Sequence, residues 1–229
     1  MTGILAERRA LMMQQAAPEP IPYITDGLIF WLDGLDATAS EWVDKVGGVV
    51  FSLTDCVKSS YGVDFNGSTS GGAATGAIPG IVTVGAAITT AAGVTGVTAI
   101  FDQPSTRSNP QGILWRGDPT WYITTRDYAY LPAPARTSVE MLCASIPGFY
   151  AGDASSWGIK NGAKITTRAR NRLAERTGSG MTIGKSLSDS SRFHGTIHSL
   201  WFYNRALTED EMQQNQAIDN VRYNLGVIS

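Results

Sequence analysis

Charge, cysteine and histidine are all scarce in this chain. Charged side chains make up 17% of its 229 residues, and 18 Lys and Arg against 20 Asp and Glu leave a formal net charge of -2. The basic residues read as scattered, with no stripe to follow a phosphate backbone, so nucleic acid is not expected as a partner. Long apolar runs are missing as well. The charge-poor stretch 71–100 is broken by glycines, threonines and Pro79, and it lacks the ~20 strongly apolar residues of a membrane span. Glu7, Arg8 and Arg9 interrupt the opening MTGILAERRALMMQQ, which therefore does not fit a signal peptide, and folding in a cytoplasm is expected. Cys56 and Cys143 match no metal-binding spacing and are expected to be free thiols. His194 and His198 are the only histidines. Their spacing on a strand puts them on one side, but no nearby Cys or carboxylate completes a zinc coordination set.

What is present is apolar content, at 43%, enough for one main core. Ile4, Leu5, Leu11 and Met12 recur at helical spacing and predict a short amphipathic arm. Pro18, Pro20 and Pro22 then make a stiff linker, so residues 1–24 read as an arm with its linker and 25–229 as the body. From GLIFWLD (27–33) to GTIHSLWFY (195–203), a dozen short β-branched and aromatic runs are separated by Gly, Pro, Asn, Asp or Ser. Strands at that spacing predict an all-β, two-sheet antiparallel jelly-roll sandwich. Asn161-Gly162 between two short runs predicts a type I′ hairpin.

The segment FHGTIHSLWFYNRALTEDEM (193–212) begins as a strand and ends as a helix. Alternation puts Ile197, Trp201 and Tyr203 on one face and His198, Leu200 and Phe202 on the other. Both faces are apolar at the strand's end, so something besides the partner sheet must cover it, either the following helix or the arm. Thr208 and Glu211 stand at capping-box spacing, with Leu207 and Met212 placed as a hydrophobic staple. Ile218, Val221 and Leu225 continue an apolar stripe to Gly226, which predicts a helix over 208–225.

With those residues in view, RFHGTIHSLWFYNRALTEDEM resembles the closing signature of the laminin G-like jelly-roll domains of the concanavalin A-like superfamily. DGLIFWLDGLD is similar to that family's first strand, VDFNGSTS to its second signature and WGIKNGAKI to its hairpin. The resemblance covers about residues 25 to 216 and implies a sandwich that serves mostly as a non-catalytic binding or structural module. It also implies calcium as the one cofactor to consider, for which Asp33 and Asp36 are the candidate oxygen ligands, with Asp44 and Asp64 as companions.

Glucanases of that superfamily use a Glu-x-Asp-x-Glu strand, and this chain has none, so catalysis is not expected. Arg116-Gly117-Asp118 matches an integrin-binding tripeptide, but its letters also suit a hairpin loop. The richest candidate set is aromatic: Trp115, Trp121, Tyr122, Tyr128, Tyr130, Tyr150 and Trp157 fall in the middle third, interleaved with Arg126 and Asp127. Flat aromatic faces with a few polar groups suit a sugar ring. The expected function is a non-catalytic, virion-associated phage module. Its arm (Ile4, Leu5, Leu11, Met12) would join other virion proteins or a second copy, and Trp115, Trp121, Arg126, Asp127, Tyr128, Tyr130 and Trp157 would bind a host-surface glycan. The alternatives are a decoration protein without ligand and a glycoside hydrolase. No membrane partner is expected.

Overall fold

The computed structural model describes residues 23–104, 114–116, 120–123, 129–132, 139–145, 157–166, 168–169 and 180–228. The expected helical arm, with Ile4, Leu5, Leu11 and Met12, lies outside them. In chain order the strands are β1 (Leu28–Asp33), β2 (Glu41–Val43), β3 (Val50–Thr54), β4 (Val57–Lys58), β5 (Val63–Asn66), β6 (Gly71–Ala74), β7 (Thr83–Thr90), β8 (Thr98–Asp102) and β9 (Leu114–Arg116). There follow β10 (Thr120–Ile123), β11 (Ala129–Pro132), β12 (Val139–Ser145), β13 (Trp157–Lys160), β14 (Ala163–Thr166), β15 (Arg168–Ala169), β16 (Met181–Ile183), β17 (His194–Tyr203) and the helix α1 (Glu209–Arg222). The first sheet runs β14-β13-β12-β7-β17-β5-β4, with β1 also on β17. The second runs β15-β11-β10-β9-β8-β16-β6-β3-β2. The strand pairings are antiparallel. This is the two-sheet all-β sandwich with a C-terminal helix that the sequence predicts. No helix among the described residues is long and apolar enough to cross a membrane.

Between the sheets, Phe30, Phe51, Phe101 and Phe202 form a fully buried aromatic centre, with Phe30 stacked on Phe202 at 4.9 Å and Phe101 edge-on to Phe202 at 5.0 Å. A second cluster, with Trp31, Trp201, Tyr203, Leu207 and Met212, lies on the other side of the first sheet, under α1. The helix is thus the cover that the doubly apolar end of β17 requires. One detail of the alternation differs from expectation. A register shift between Ile197 and Ser199 moves Ile197 onto the core face with Leu200 and Phe202, because one extra residue in a strand reverses the sides upstream of it.

The local signals that carry their own hydrogen-bond chemistry are realised. Asn161 and Gly162 take left-handed φ of 48° and 79° in a two-residue turn between the opposed Lys160 and Ala163. Thr208 and Glu211 form the reciprocal capping box. Arg205, just before it, grips Glu211 with two nitrogens at 2.7 and 2.9 Å and reaches Asp26, which ties the helix start to the chain leading into β1.

The expected apolar stripe of the helix is a correction. Val221 is 80% exposed, and the buried face is Met212, Asn215, Gln216 and Asp219. These sit at the i, i+3, i+4, i+7 spacing of an inward face, but three are polar, and each is satisfied by the first sheet, its turn at Gly162 or the Tyr23-Ile24 segment before β1. Gln216 accepts from Gly162 N at 2.8 Å and donates to Ile159 O at 2.8 Å and Met141 O at 3.2 Å. Asn215 accepts from Ile24 N at 3.2 Å and donates to Tyr203 Oη at 2.9 Å. The helix also ends sooner than expected, at Arg222, with Asn224 in the left-handed region at φ 52°.

Candidate functional site

The buried carboxylates come first, because a glycoside hydrolase would need a pair that substrate can reach. Asp219 receives hydrogen bonds from Tyr23 Oη, from Ser199 Oγ at 2.8 Å and from Trp201 Nε1 at 3.1 Å. Burial pushes its carboxyl up to about 6, against the pull of those donors. Asp33 receives Leu35 N at 3.0 Å, Tyr223 Oη at 2.9 Å and the Arg222 guanidinium. Both are wholly buried, so the pair knits β1, β17 and α1 together and offers no approach to a ligand.

That arrangement also decides how the expected calcium ligands are used. Asp33 is paired with a guanidinium, and Asp36 forms an ion pair with Lys45. Asp44 accepts from three backbone amides, of Trp31, Val46 and Gly47 at 2.7 to 3.0 Å, and Asp64 accepts from Thr196 Oγ1 at 2.5 Å. Among the described residues no group of three or more His, Cys, Asp or Glu could hold a metal. The donor set does not fit calcium: two of the four carboxylates already face a cation of the chain.

The register shift in β17 also separates the two histidines. His194 is exposed, whereas His198 is buried, with Nδ1 2.8 Å from Tyr61 O and Nε2 2.8 Å from Thr89 Oγ1. A carbonyl only accepts, so Nδ1 carries a proton, and in the neutral ring that burial favours Nε2 accepts from Thr89. Burial pushes its pKa down in agreement. Glu140 of β12 is buried in an ion pair with Lys160 of β13. Cys56 and Cys143 are free thiols, as expected.

The aromatic candidates fall on different parts of the sandwich. Tyr128, Arg126 and Asp127 lie outside the described residues, as do Gly117 and Asp118 of the tripeptide. Trp157 lies in β13 of the first sheet, half-buried against the cluster beneath α1, with Lys164 Nζ 5.0 Å from its ring centre. The structure does not bring it together with the others. Trp115, Trp121 and Tyr130 lie on adjacent strands of the second sheet, and their register sorts them into two rows. Trp115 is opposite Tyr122, and Tyr122 is opposite Tyr130, so these three occupy one row across β9, β10 and β11. Trp121, opposite Arg116 and Leu131, belongs to the neighbouring row and therefore to the other face.

Which face is which follows from β8. Phe101 is in the core and stands opposite Leu114, whereas the next position of β9, Trp115, stands opposite Ala99. Alternation places the Trp115, Tyr122 and Tyr130 row on the face turned away from the core. The row starts beside buried Ala99 and runs to the sheet's edge. Towards the other end of the sheet the outer face meets solvent, since in β3 Phe51 and Leu53 are buried while Val50, Ser52 and Thr54 are exposed, whereas β8, next to the row, is buried along its whole length. Tyr122 is thereby joined to Trp115 and Tyr130 by register, which the linear order of the sequence does not express.

No family model matches the chain, and no curated relative does. Solved structures match it in fold. The sialidase of Trypanosoma rangeli in complex with 2,3-difluorosialic acid superposes with a TM-score of 0.63 at 16% identity, over 91% of this chain and 36% of that one. The binding domain of botulinum neurotoxin DC in complex with SialylT gives a TM-score of 0.58 at 10% identity, over 86% of this chain and 52% of the other. The chain thus spans about a third of the sialidase and about half of the neurotoxin domain. At these identities the likeness is one of fold, a β-sandwich. The laminin G-like resemblance rests on the four sequence segments alone. The expectation that catalysis plays no part is corrected by these matches: sialidases are enzymes, and this sandwich is a fold that a sialidase carries.

Proposed function

We propose that this sandwich binds carbohydrate on the outer face of its second sheet, through the row Trp115, Tyr122 and Tyr130. The observation that carries the proposal is the register, which sets three aromatic residues side by side on three adjacent strands. Neighbouring strands lie ~4.8 Å apart, so the row offers a platform about 10 Å long for stacking flat sugar faces. The matched sialidase and neurotoxin structures, both holding sialyl-type ligands, support the reading. A single shallow site of this kind is expected to bind near ~1 mM, or about -4 kcal/mol. Useful strength then needs many copies.

Display on a phage particle would supply those copies, with Ile4, Leu5, Leu11 and Met12 as the stripe that joins the particle or a second copy. Support for this part comes from the LAERRALMMQQ opening and its Pro-rich link. A second reading, favoured by the sialidase matches, makes the sandwich the sugar-holding part of a glycosidase. A glycan array probed with the full chain, multimerised on beads, tests the first reading, and an array without hits refutes it. Release of fluorophore from a fluorogenic sialoside would establish the second.

A further inference from the structure

Helix α1 carries a second stripe opposite its buried one. Met212, Asn215, Gln216 and Asp219 face the sheet, and half a turn round lie Gln214, Ala217, Ile218 and Val221, again at i, i+3, i+4, i+7. Gln214, Ala217 and Val221 are exposed and Ile218 is half-buried. The usual order is thereby inverted: the side toward the protein is mostly polar, while the side toward water holds three apolar residues and no charge. A helix face that meets only water is ordinarily polar or charged. With Arg222 the stripe lines a shallow groove, and the small Ala217 at its middle would let a second helix approach closely. We propose that this outer face of α1 is the dock for the N-terminal arm of a second copy of the chain, with Ile4, Leu5, Leu11 and Met12 packing on Ala217, Ile218 and Val221. The proposal rests on the arm reading above and names the partner that reading leaves open.

The path of the chain supports this occupant. Tyr23 Oη donates to Asp219, Ile24 N donates to Asn215 at 3.2 Å, and Asp26 is tied through Arg205 to Glu211. From 23 to 26 the chain thus runs alongside α1 in the opposite direction, so residues 1–22 lead in from the helix's C-terminal end. Beyond Asp219 only three residues of α1 remain, ~5 Å of helix. The stiff linker that Pro18, Pro20 and Pro22 predict over residues 18–22 spans about 15 Å, at ~3.1 Å per residue. That length carries the arm past the end of its own helix and toward another copy. Each copy then offers one arm and one dock. Two copies that exchange arms use both, so the assembly closes as a two-fold dimer with no stripe left over to extend it.

Light scattering of full-length chains tests this with two variants, each checked for an unchanged circular-dichroism spectrum. Ala217→Glu with Val221→Lys blocks the dock, and because both positions are exposed and the new pair has the favourable i, i+4 order, the helix itself is not put at risk. Leu5→Gln with Leu11→Gln blocks the arm. The unaltered chain is expected as a dimer, and either variant should dissociate at least about tenfold more readily. Mixed in equal amounts, the two variants should pair one to one, since one keeps a sound arm and the other a sound dock. An unaltered chain that is monomeric overturns the proposal. So does a dock variant that dimerises as the unaltered chain does; if the arm variant alone dissociates, the arm reading stands and its partner lies elsewhere. Two folded variants that both dissociate yet fail to pair when mixed also overturn it, because arm and stripe then do not meet.

Discussion

Gly85 lies against the indole of Trp201: a Cβ added at residue 85 would stand 2.3 Å from three atoms of that ring. Both residues sit at the centre of the first sheet, directly opposed across β7 and β17. Gly85→Ala is therefore expected to cost about 1 to 3 kcal/mol by overpacking, and Trp201→Ala about 3 to 5 kcal/mol by emptying the space beneath α1. The double variant should cost clearly less than the sum, because removing the ring makes room for the methyl. Denaturant melts of the three variants check this, and strict additivity would contradict the packing described.

The polar underside of α1 gives a second test. Gln216→Leu would take the acceptor from Gly162 N and a donor from Ile159 O and Met141 O, and a cost of about 1 to 3 kcal/mol is expected although the change raises apolarity. Val221→Ser, on the exposed side, should change stability by less than ~0.5 kcal/mol. The reverse order in thermal or denaturant melts would mean that the helix packs through the Val221 side.

These two sites also show what could be read in advance. The strands, the Asn161-Gly162 turn and the Thr208 cap were legible because each carries its cause within a few residues: alternation, a left-handed φ, a reciprocal hydrogen bond. The inward face of α1 was not. Apolar periodicity points to Ile218 and Val221, while the groups that need Asn215, Gln216 and Asp219 are backbone and side-chain atoms of β12, β13, β17, the turn at Gly162 and the Tyr23-Ile24 segment before β1, distant in the chain. The side of Ile197 was hidden by the irregularity at residue 198, which no residue type announces. For the candidate site, the sequence shows the aromatics but not their pairing. Register across β9, β10 and β11 is what turns three scattered residues into a row.

Stability should respond to pH through two carboxylates of α1 with opposite sign. Burial holds Asp219 at about 6, above its ordinary 3.8, so its contribution is present in full below pH 3.8 and is lost as pH rises through about 6. Arg205 holds Glu211 at about 2, below its ordinary 4.5, so that contribution is present above pH 4.5 and is lost as pH falls through about 2. Asp219→Asn is expected to flatten the decline between pH 4 and 6, and Glu211→Gln the decline on the acid side. Urea midpoints measured across pH 2 to 7 check both, and an unchanged slope in either variant would refute the corresponding assignment.

Assembly through the arm predicts a separation of functions. Deleting residues 1–22 keeps Tyr23 and its bond to Asp219, so the sandwich should stay folded while self-association or particle binding is lost. Helices shorter than ~12 to 15 residues are marginal alone, so the expected Ile4, Leu5, Leu11 and Met12 stripe would need a partner. Light scattering of both forms decides the matter, and the same number of chains in the two, more than one, would show that the sandwich itself assembles.

The proposed carbohydrate surface is the row of Trp115, Tyr122 and Tyr130 and not the neighbouring one. Tyr122 and Trp121 are adjacent in β10 and assigned to opposite faces, which makes them a matched pair. The decisive measurement is binding of the full chain to its best array glycan, with the melting temperature recorded for each variant. Tyr122→Ala should reduce binding at least about tenfold with little change in melting temperature, while Trp121→Ala should leave binding nearly intact and lower the melting temperature. If Trp121→Ala abolishes binding in a folded protein and Tyr122→Ala does not, the row is not the site.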